Sequence, residues 1–289
     1  MIGYDPPPFV RGRARRDPGL TKEGSVRIPE RYNYVTQTRY GTLIYNKNDV
    51  RVGRSIELYG EYCERAIVVF DQMLSAGQLV LDIGANIGAQ TLFFAKKVGP
   101  EGSVLAFEPQ RLVFQTLCGN MAINSITNVH CWNTAVGARQ GQIVVPRVDH
   151  ERTIDLSSVE MGTSQTGDKV AVIAIDDMNL PRCDVVRIAA PGMEAAILQG
   201  ATSLLKRVRP ILYIDCQLDP VREADLLKQI LDLGYASYWH TAELFNPQNY
   251  VGNLENVFAN QSLRSLLCID AAIERQLTGF TKAAIPDAA

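Results

Sequence analysis

From about residue 41 onward, short apolar runs alternate with longer amphipathic stretches. "GTLIYN" (41–46) reads as a strand, and the apolar spacing over 57–74 predicts a helix ending before "SAGQ". "QLVLDIG" (78–84) predicts a strand, followed by a helix over 89–98 that Gly99 and Pro100 stop. "SVLAFEP" (103–109) opens a second such unit, whose helix over 112–124 carries Leu112, Phe114, Leu117, Met121 and Ile123. "NVHCWNTAVG" (128–137) and "GQIVVP" (141–146) lie too close together for a helix between them and predict a hairpin-like excursion. The segment 147–166 carries no readable period.

"DVVRIAA" (184–190) leads into a helix whose Ile197, Ala201, Leu204, Leu205 and Val208 recur at helical spacing until Pro210 ends it. "PILYID" (210–215), "YASYWH" (235–240) and "LRSLLCI" (263–269) read as strands, with a helix over 221–234 between the first two. Apolar strands alternating with amphipathic helices predict an α/β, Rossmann-like fold: a mostly parallel seven-stranded sheet with helices on both faces. The last two strands are joined by a polar loop instead of a helix, so the last strand is expected to be antiparallel. Residues 1–30, rich in proline, glycine and charge, read as a flexible arm. Residues 31–289 read as one domain, with an N-terminal strand and helix at 40–75, a core at 76–270 and a tail at 271–289.

Charge narrows the partners. Lysine plus arginine (29) nearly balances aspartate plus glutamate (31), so no global field favours nucleic acid or an anionic membrane. A small-molecule or glycan substrate fits better, and a homodimer is left open. Six cysteines without a C-x-x-C pair read as free thiols in a reducing compartment, and no metal site is expected. No apolar run is long enough for a secretory signal or a membrane span, which predicts a soluble, cytoplasmic protein with Arg11, Arg13, Arg15 and Arg16 on a solvated arm.

The chemistry concentrates at two strand ends. In "LVLDIGANIGAQ" the strand ends near Asp82, and the turn through Gly84, Ala85, Asn86 and Gly88 leaves room for a ligand against the backbone. Dinucleotide sites use a similar turn, and a purely structural acidic-glycine turn reads alike. Asp82 would repel a pyrophosphate but suits a cationic, amino-acid-bearing ligand, and Glu108 closes the second strand where a ribose diol is bound in such folds. Together they favour S-adenosylmethionine over a nicotinamide cofactor.

"LDIGANIGAQTLFFA", "VLAFEPQ", "NMAINSITNVHCWNTAVG" and "GMEAAILQGATSLLKRVRPILYI" resemble the FkbM-type methyltransferases, and the likeness runs from about residue 40 to 269. It implies a methyltransferase that uses S-adenosylmethionine and methylates a hydroxyl on a sugar or natural product. Carried over residue by residue, it implies cofactor binding by Asp82, Gly84, Ala85, Asn86, Gly88 and Glu108, with Asn133 and Ala135 beside the adenine and Glu61 near the amino-acid end.

One stretch departs. Where such relatives read I-D-V-E-G-x-E, this chain reads "IAAPGME", with Ala189 in place of aspartate and Pro191 in place of glutamate. Methyl transfer is an in-line displacement for which positioning supplies much of the rate, and a base matters most when an alcohol must shed its proton. The departure therefore threatens base catalysis more than cofactor binding. His240 and Asp215, near strand ends, are the candidate replacement bases, although Asp215 also reads as a helix cap. Glu194 reads as a partner of the helix N-terminus. An active enzyme, a degenerate relative that binds cofactor without turnover and a nucleotide-binding dehydrogenase stay open.

Overall fold

A computed structural model describes residues 25–26, 31–161, 165–273, 277 and 279–284; the arm expected at 1–30 lies outside them apart from 25–26. β1 (Ser25–Val26), β2 (Asn33–Thr38) and β3 (Gly41–Asn46) form an antiparallel sheet. Next come α1 (Val52–Tyr59), α2 (Glu64–Met73), β4 (Leu79–Ile83), α3 (Ala89–Val98), β5 (Ser103–Phe107), α4 (Arg111–Ile123), β6 (Val129–Trp132), β7 (Ala135–Val136), β8 (Gly141–Val145) and β9 (Asp168–Ile173). The chain continues through β10 (Val185–Ile188), α5 (Glu194–Gln199), α6 (Thr202–Val208), β11 (Ile211–Asp215), α7 (Pro220–Asp232), β12 (Tyr235–Glu243), β13 (Ser262–Asp270) and β14 (Thr281–Lys282).

The main sheet has the order β14-β12-β13-β11-β10-β4-β5-β6. β11, β10, β4, β5 and β6 run parallel, and β13 is antiparallel to both β11 and β12. The α/β, mostly parallel architecture with an antiparallel strand from 262–270 is as expected; β14, from the tail, adds an eighth strand. Successive strand residues point to opposite faces, and both faces are buried. Leu81, Ile83, Val186, Ile188, Leu212 and Ile214 pack under α5, α6 and α7, while Val80, Val104, Val185 and Tyr213 pack under α2 and α3. The chain leaves β4 toward β5 on one side and β10 toward β11 on the other, so a crevice opens at the carboxyl ends of β4 and β10.

Three expectations are corrected. The helix expected at 57–74 is two, α1 and α2, broken where Gly60 (φ 63°) and Cys63 (φ 53°) take left-handed backbone. The helix before Pro210 is likewise two, α5 and α6, separated at Gly200 and Ala201. Gly200 allows the close approach of Gly137, whose carbonyl oxygen would lie 2.1 Å from a Cβ there. In place of a hairpin between 128–137 and 141–146, β7 and β8 both pair with β9, parallel and antiparallel respectively, in a separate sheet.

Candidate active site

The crevice is lined by the turn after β4, the end of β5, the segment 134–136, the loop 156–161, the segment after β10 and the end of β11. Arg51, Val52, Tyr62 and Leu263 complete the lining. Its space, counted out to open solvent, is about 1200 Å³.

The turn after β4 is shaped by its own packing. Gly84 (φ 84°) passes so close to the next strand's continuation that a Cβ would sit 2.1 Å from the Ala189 carbonyl oxygen. Asn86 (φ 52°) and Gly88 (φ 84°) are also left-handed, and a Cβ on Gly88 would meet Leu117 at 2.6 Å. Gly84 and Asn86 line the crevice. Ala85 is instead buried in the core beneath the turn, where its N–H and that of Gly84 both donate to the Phe107 carbonyl.

Glu108 is 4% exposed and lines the crevice at the end of β5. One carboxylate oxygen accepts the Asn86 N–H (2.9 Å), and the other accepts the Gln110 N–H (2.8 Å). Each oxygen keeps a second lone pair, so the group can accept two further hydrogen bonds from neighbouring hydroxyls. Burial pushes its pKa up to about 7, against the opposing pull of those two N–H groups. Beside it, Phe107, Ala135, Val136 and Leu156 give an apolar wall. Asn133 does not line the crevice; its amide donates to the carbonyls of Glu108 (2.9 Å) and Pro109 (3.1 Å), fixing the chain that presents Ala135.

Asp82 is fully buried and stands beneath the crevice. It accepts the Thr91 hydroxyl (2.6 Å) and Arg187 Nη1 (3.1 Å), so its charge is met by Arg187 before any ligand. Arg187 is a site residue that the sequence reading passed over. It is 7% exposed, lines the crevice and also bonds the Gly84 carbonyl (2.9 Å) and Asp215 (3.2 Å). Burial opposes its charge, but Asp215 and Asp82 more than offset this and hold its pKa above the usual value. The available signal was a lone arginine inside an otherwise apolar strand.

The two candidate bases separate. Asp215 lines the crevice, bonded to Arg187 and to the Ser265 hydroxyl (2.9 Å), and does not cap α7, which Asp219 caps. His240 is outside the lining: its ring nitrogen bonds the Tyr213 hydroxyl (2.7 Å), its ring packs on Phe280, and burial lowers its pKa. Glu61 is outside as well. It accepts from Arg39 (2.8 Å), Asn246 (2.8 Å) and the Tyr250 N–H (2.8 Å), tying the β2–β3 hairpin to the 246–250 loop.

Ala189, Ala190 and Pro191 do line the crevice, so the departure from the family pattern is a departure in its wall. Glu194, 4% exposed, lines it too, and burial raises its pKa against the N–H groups of Glu194 itself and Gly192. Glu194 opens the first turn of α5, the position at which the sequence reading placed it. The loop 156–161 bridges the two halves: the Gln110 amide donates to the Leu156 carbonyl (3.2 Å) and the Met161 N–H to the Pro191 carbonyl (3.5 Å). Among the described residues no group of three or more His, Cys, Asp or Glu side chains is placed to hold a metal ion. None of their helices is long and apolar enough to cross a membrane. All six cysteines are free thiols.

A doubly wound sheet whose glycine turn and acidic β5 end meet at one crevice defines a Rossmann-like fold. The methyltransferase FkbM domain matches residues 82–237, more than half of the chain, and the chain belongs to that family. It is similar to "Methyltransferase 1" of Beauveria bassiana (strain ARSEF 2860), 24% identical over 143 residues, covering 42% of this chain and 57% of that one. Among solved structures it is similar to methyltransferase FkbM from Methylobacillus flagellatus KT (17% identity, TM-score 0.45), over 66% of this chain and 43% of that chain. It is also similar to Aeropyrum pernix fibrillarin with natively bound S-adenosyl-L-methionine (13% identity, TM-score 0.42), over 84% of this chain and 97% of that one. The chain thus spans about half the length of the first two of these relatives.

Proposed function

We propose that the crevice binds S-adenosylmethionine and that the protein transfers its methyl group to a hydroxyl of a sugar or natural product. The observation that carries this reading is Glu108: a buried carboxylate at the end of β5, oriented by two backbone N–H groups and with a lone pair left on each oxygen for a ribose diol. Family membership supports the reaction type. When bound, the cofactor supplies an electrophilic methyl on a sulfonium. Glu108 would take the ribose hydroxyls, the wall of Phe107, Ala135, Val136 and Leu156 would take the adenine, and Gly84 and Asn86 would let the ligand approach the backbone. Asp82 acts from below, by holding Arg187 and through it the turn carbonyl of Gly84.

At the acceptor end, Asp215, Glu194 and the exposed Glu160 are carboxylates that line the crevice, and the first two, more sheltered from solvent, replace His240 as candidate bases. A second reading, cofactor binding without turnover, is favoured by the uncharged wall of Ala189, Ala190 and Pro191. An assay for demethylated cofactor, run across sugar, lipid and polyketide alcohols, separates the two. Turnover on any of these alcohols supports the enzyme; silence across the panel with cofactor bound supports the second reading. The metal-free expectation is tested in the same assay by chelation, which should leave turnover unchanged.

A further inference from the structure

The crevice has a neighbour. A second hollow is lined by Lys47, Asp49, Arg51, Arg54, Asp155, Phe258 and Gln261. Three segments border both spaces. Arg51 lines both directly, Asp155 precedes Leu156 and Ser157 of the crevice, and Gln261 lies two residues before its Leu263. Arg51, shared by both spaces, is ion-paired with Asp155 (2.8 Å), and we take this pair as the partition between them.

The charges of this hollow are unevenly satisfied. Asp155 is matched by Arg51, and its other oxygen accepts the Ser157 N–H (3.1 Å) and hydroxyl (2.6 Å). Asp49 is 1% exposed, and its two oxygens are each engaged by an N–H, of Arg51 (3.1 Å) and Gly53 (3.1 Å), so its hydrogen-bonding is turned to the start of α1. On the cationic side, Arg54 meets only the exposed Glu57 (2.9 Å), a solvent-screened pair of small value. Lys47 is exposed and rests over the Tyr34 ring at 5.4 Å. Two cations are therefore available beside a wall formed by Phe258 and its neighbour Val257.

Resting on the methyl-transfer reading above, we propose that this hollow is the outer part of the acceptor site and that the acceptor carries an oxyanion, a carboxylate or a phosphate, held by Lys47 and Arg54. Its hydroxyl then points past Arg51 into the crevice. The anion supplies affinity and orientation, which an acceptor site needs when the wall at Ala189 and Pro191 offers no charge. The arrangement also gives Arg51 a part to play. An incoming anion competes with Asp155 for its guanidinium, so the partition can open toward the ligand that belongs there.

The test uses the full chain and three small probes: phenyl phosphate, benzoate and neutral phenyl glucoside. Binding is measured by calorimetry, with and without S-adenosylhomocysteine. At least one acidic probe is expected to bind about tenfold or more tighter than phenyl glucoside. Its affinity should weaken as salt rises from about 50 to about 500 mM, and the two acids distinguish a phosphate from a carboxylate preference. The double variant Lys47→Ala/Arg54→Ala should lose about tenfold for that acid while keeping its affinity for S-adenosylhomocysteine. Equal binding of all three probes, binding of none, or acid binding undiminished in the double variant overturns the proposal. Failure of S-adenosylhomocysteine to bind would instead count against the methyl-transfer reading, since the acid arm without cofactor is read separately.

Discussion

The two halves of the crevice are built differently. At the β4–β5 half, the polar groups are organised around one carboxylate: Glu108 receives the N–H groups of Asn86 and Gln110, and Gly84 and Asn86 sit on left-handed backbone that shapes the turn. At the β10 half the stretch Ala189, Ala190 and Pro191 is uncharged, and the ionic groups beside it are engaged in a chain running Asp82–Arg187–Asp215–Ser265, of which Asp82 lies beneath the crevice. The first half is preorganised to receive a ligand. The second half presents a neutral stretch flanked by the carboxylates of Asp215, Glu194 and Glu160, and there Arg187 and Asp215 are tied to each other across adjacent strands. On the function proposed above, cofactor binding rests mainly on the first half and acceptor activation on the second, with Arg187 touching both, and the two are open to separate perturbation.

The largest effect that would sharpen this contrast comes from Arg187. Replacing it by methionine strands Asp82 in the interior with only the Thr91 hydroxyl, which should cost about 3–5 kcal/mol of stability, measured by denaturant unfolding. Adding Asp82→Asn to the same chain should recover much of that loss, because the uncompensated charge is then gone. A neutral single variant would break the claim that the lower half is held by its ions. Next is Gly84→Ala, which forces a left-handed alanine against the Ala189 carbonyl and should cost about 2–3 kcal/mol in the same measurement.

A pH effect isolates the upper half. Glu108 has its pKa raised by burial from the ordinary 4.5 to about 7, so the folded state holds the proton more tightly than the unfolded chain. The stability linked to this group is present below about pH 4.5 and is lost as pH rises through about 7. Ribose hydroxyls donate to the ionised form, so cofactor affinity should move the other way and rise as pH climbs through about 7. Glu108→Gln should flatten both profiles, as read by thermal unfolding and by calorimetry. The smallest effect is expected from restoring the family carboxylates with Ala189→Asp and Pro191→Glu. Both positions line the crevice, so stability should change by less than about 1 kcal/mol and cofactor affinity hardly at all. A large fall in melting temperature would mean that this wall is part of the core.

What could be read from the chain beforehand follows the range of the interactions involved. The strand, glycine turn and helix at 79–98 are local, and α3 spans Ala89–Val98 as its pattern predicted. Glu108 was readable for the same reason, as an acid closing an apolar strand. The break between α1 and α2 had one signal, Gly60, whose left-handed backbone ends α1, but Cys63, which starts α2 from the same conformation, carries none. The segment 147–166 had no period to read because parts of it are fastened to other elements, such as Gln110 and Pro191, instead of to itself. Asp82 was read as facing the ligand, yet the alternation of β4 puts it on the same face as Val80, toward α3. Only the register of β4 against β10, which sets Asp82 beside Arg187, shows how that buried acid is neutralised.

The central claim is that Glu108 and the turn beside it form an adenosyl site. Calorimetric titration of the protein with S-adenosylmethionine, S-adenosylhomocysteine and NAD, repeated on Glu108→Ala, tests it most directly. The two adenosyl ligands should bind and NAD should not, and the variant should lose about 1.5–3 kcal/mol of adenosyl affinity, as expected for a charge-assisted pair of hydrogen bonds. Tight NAD binding without either adenosyl ligand, or an affinity unchanged by the loss of Glu108, would contradict it.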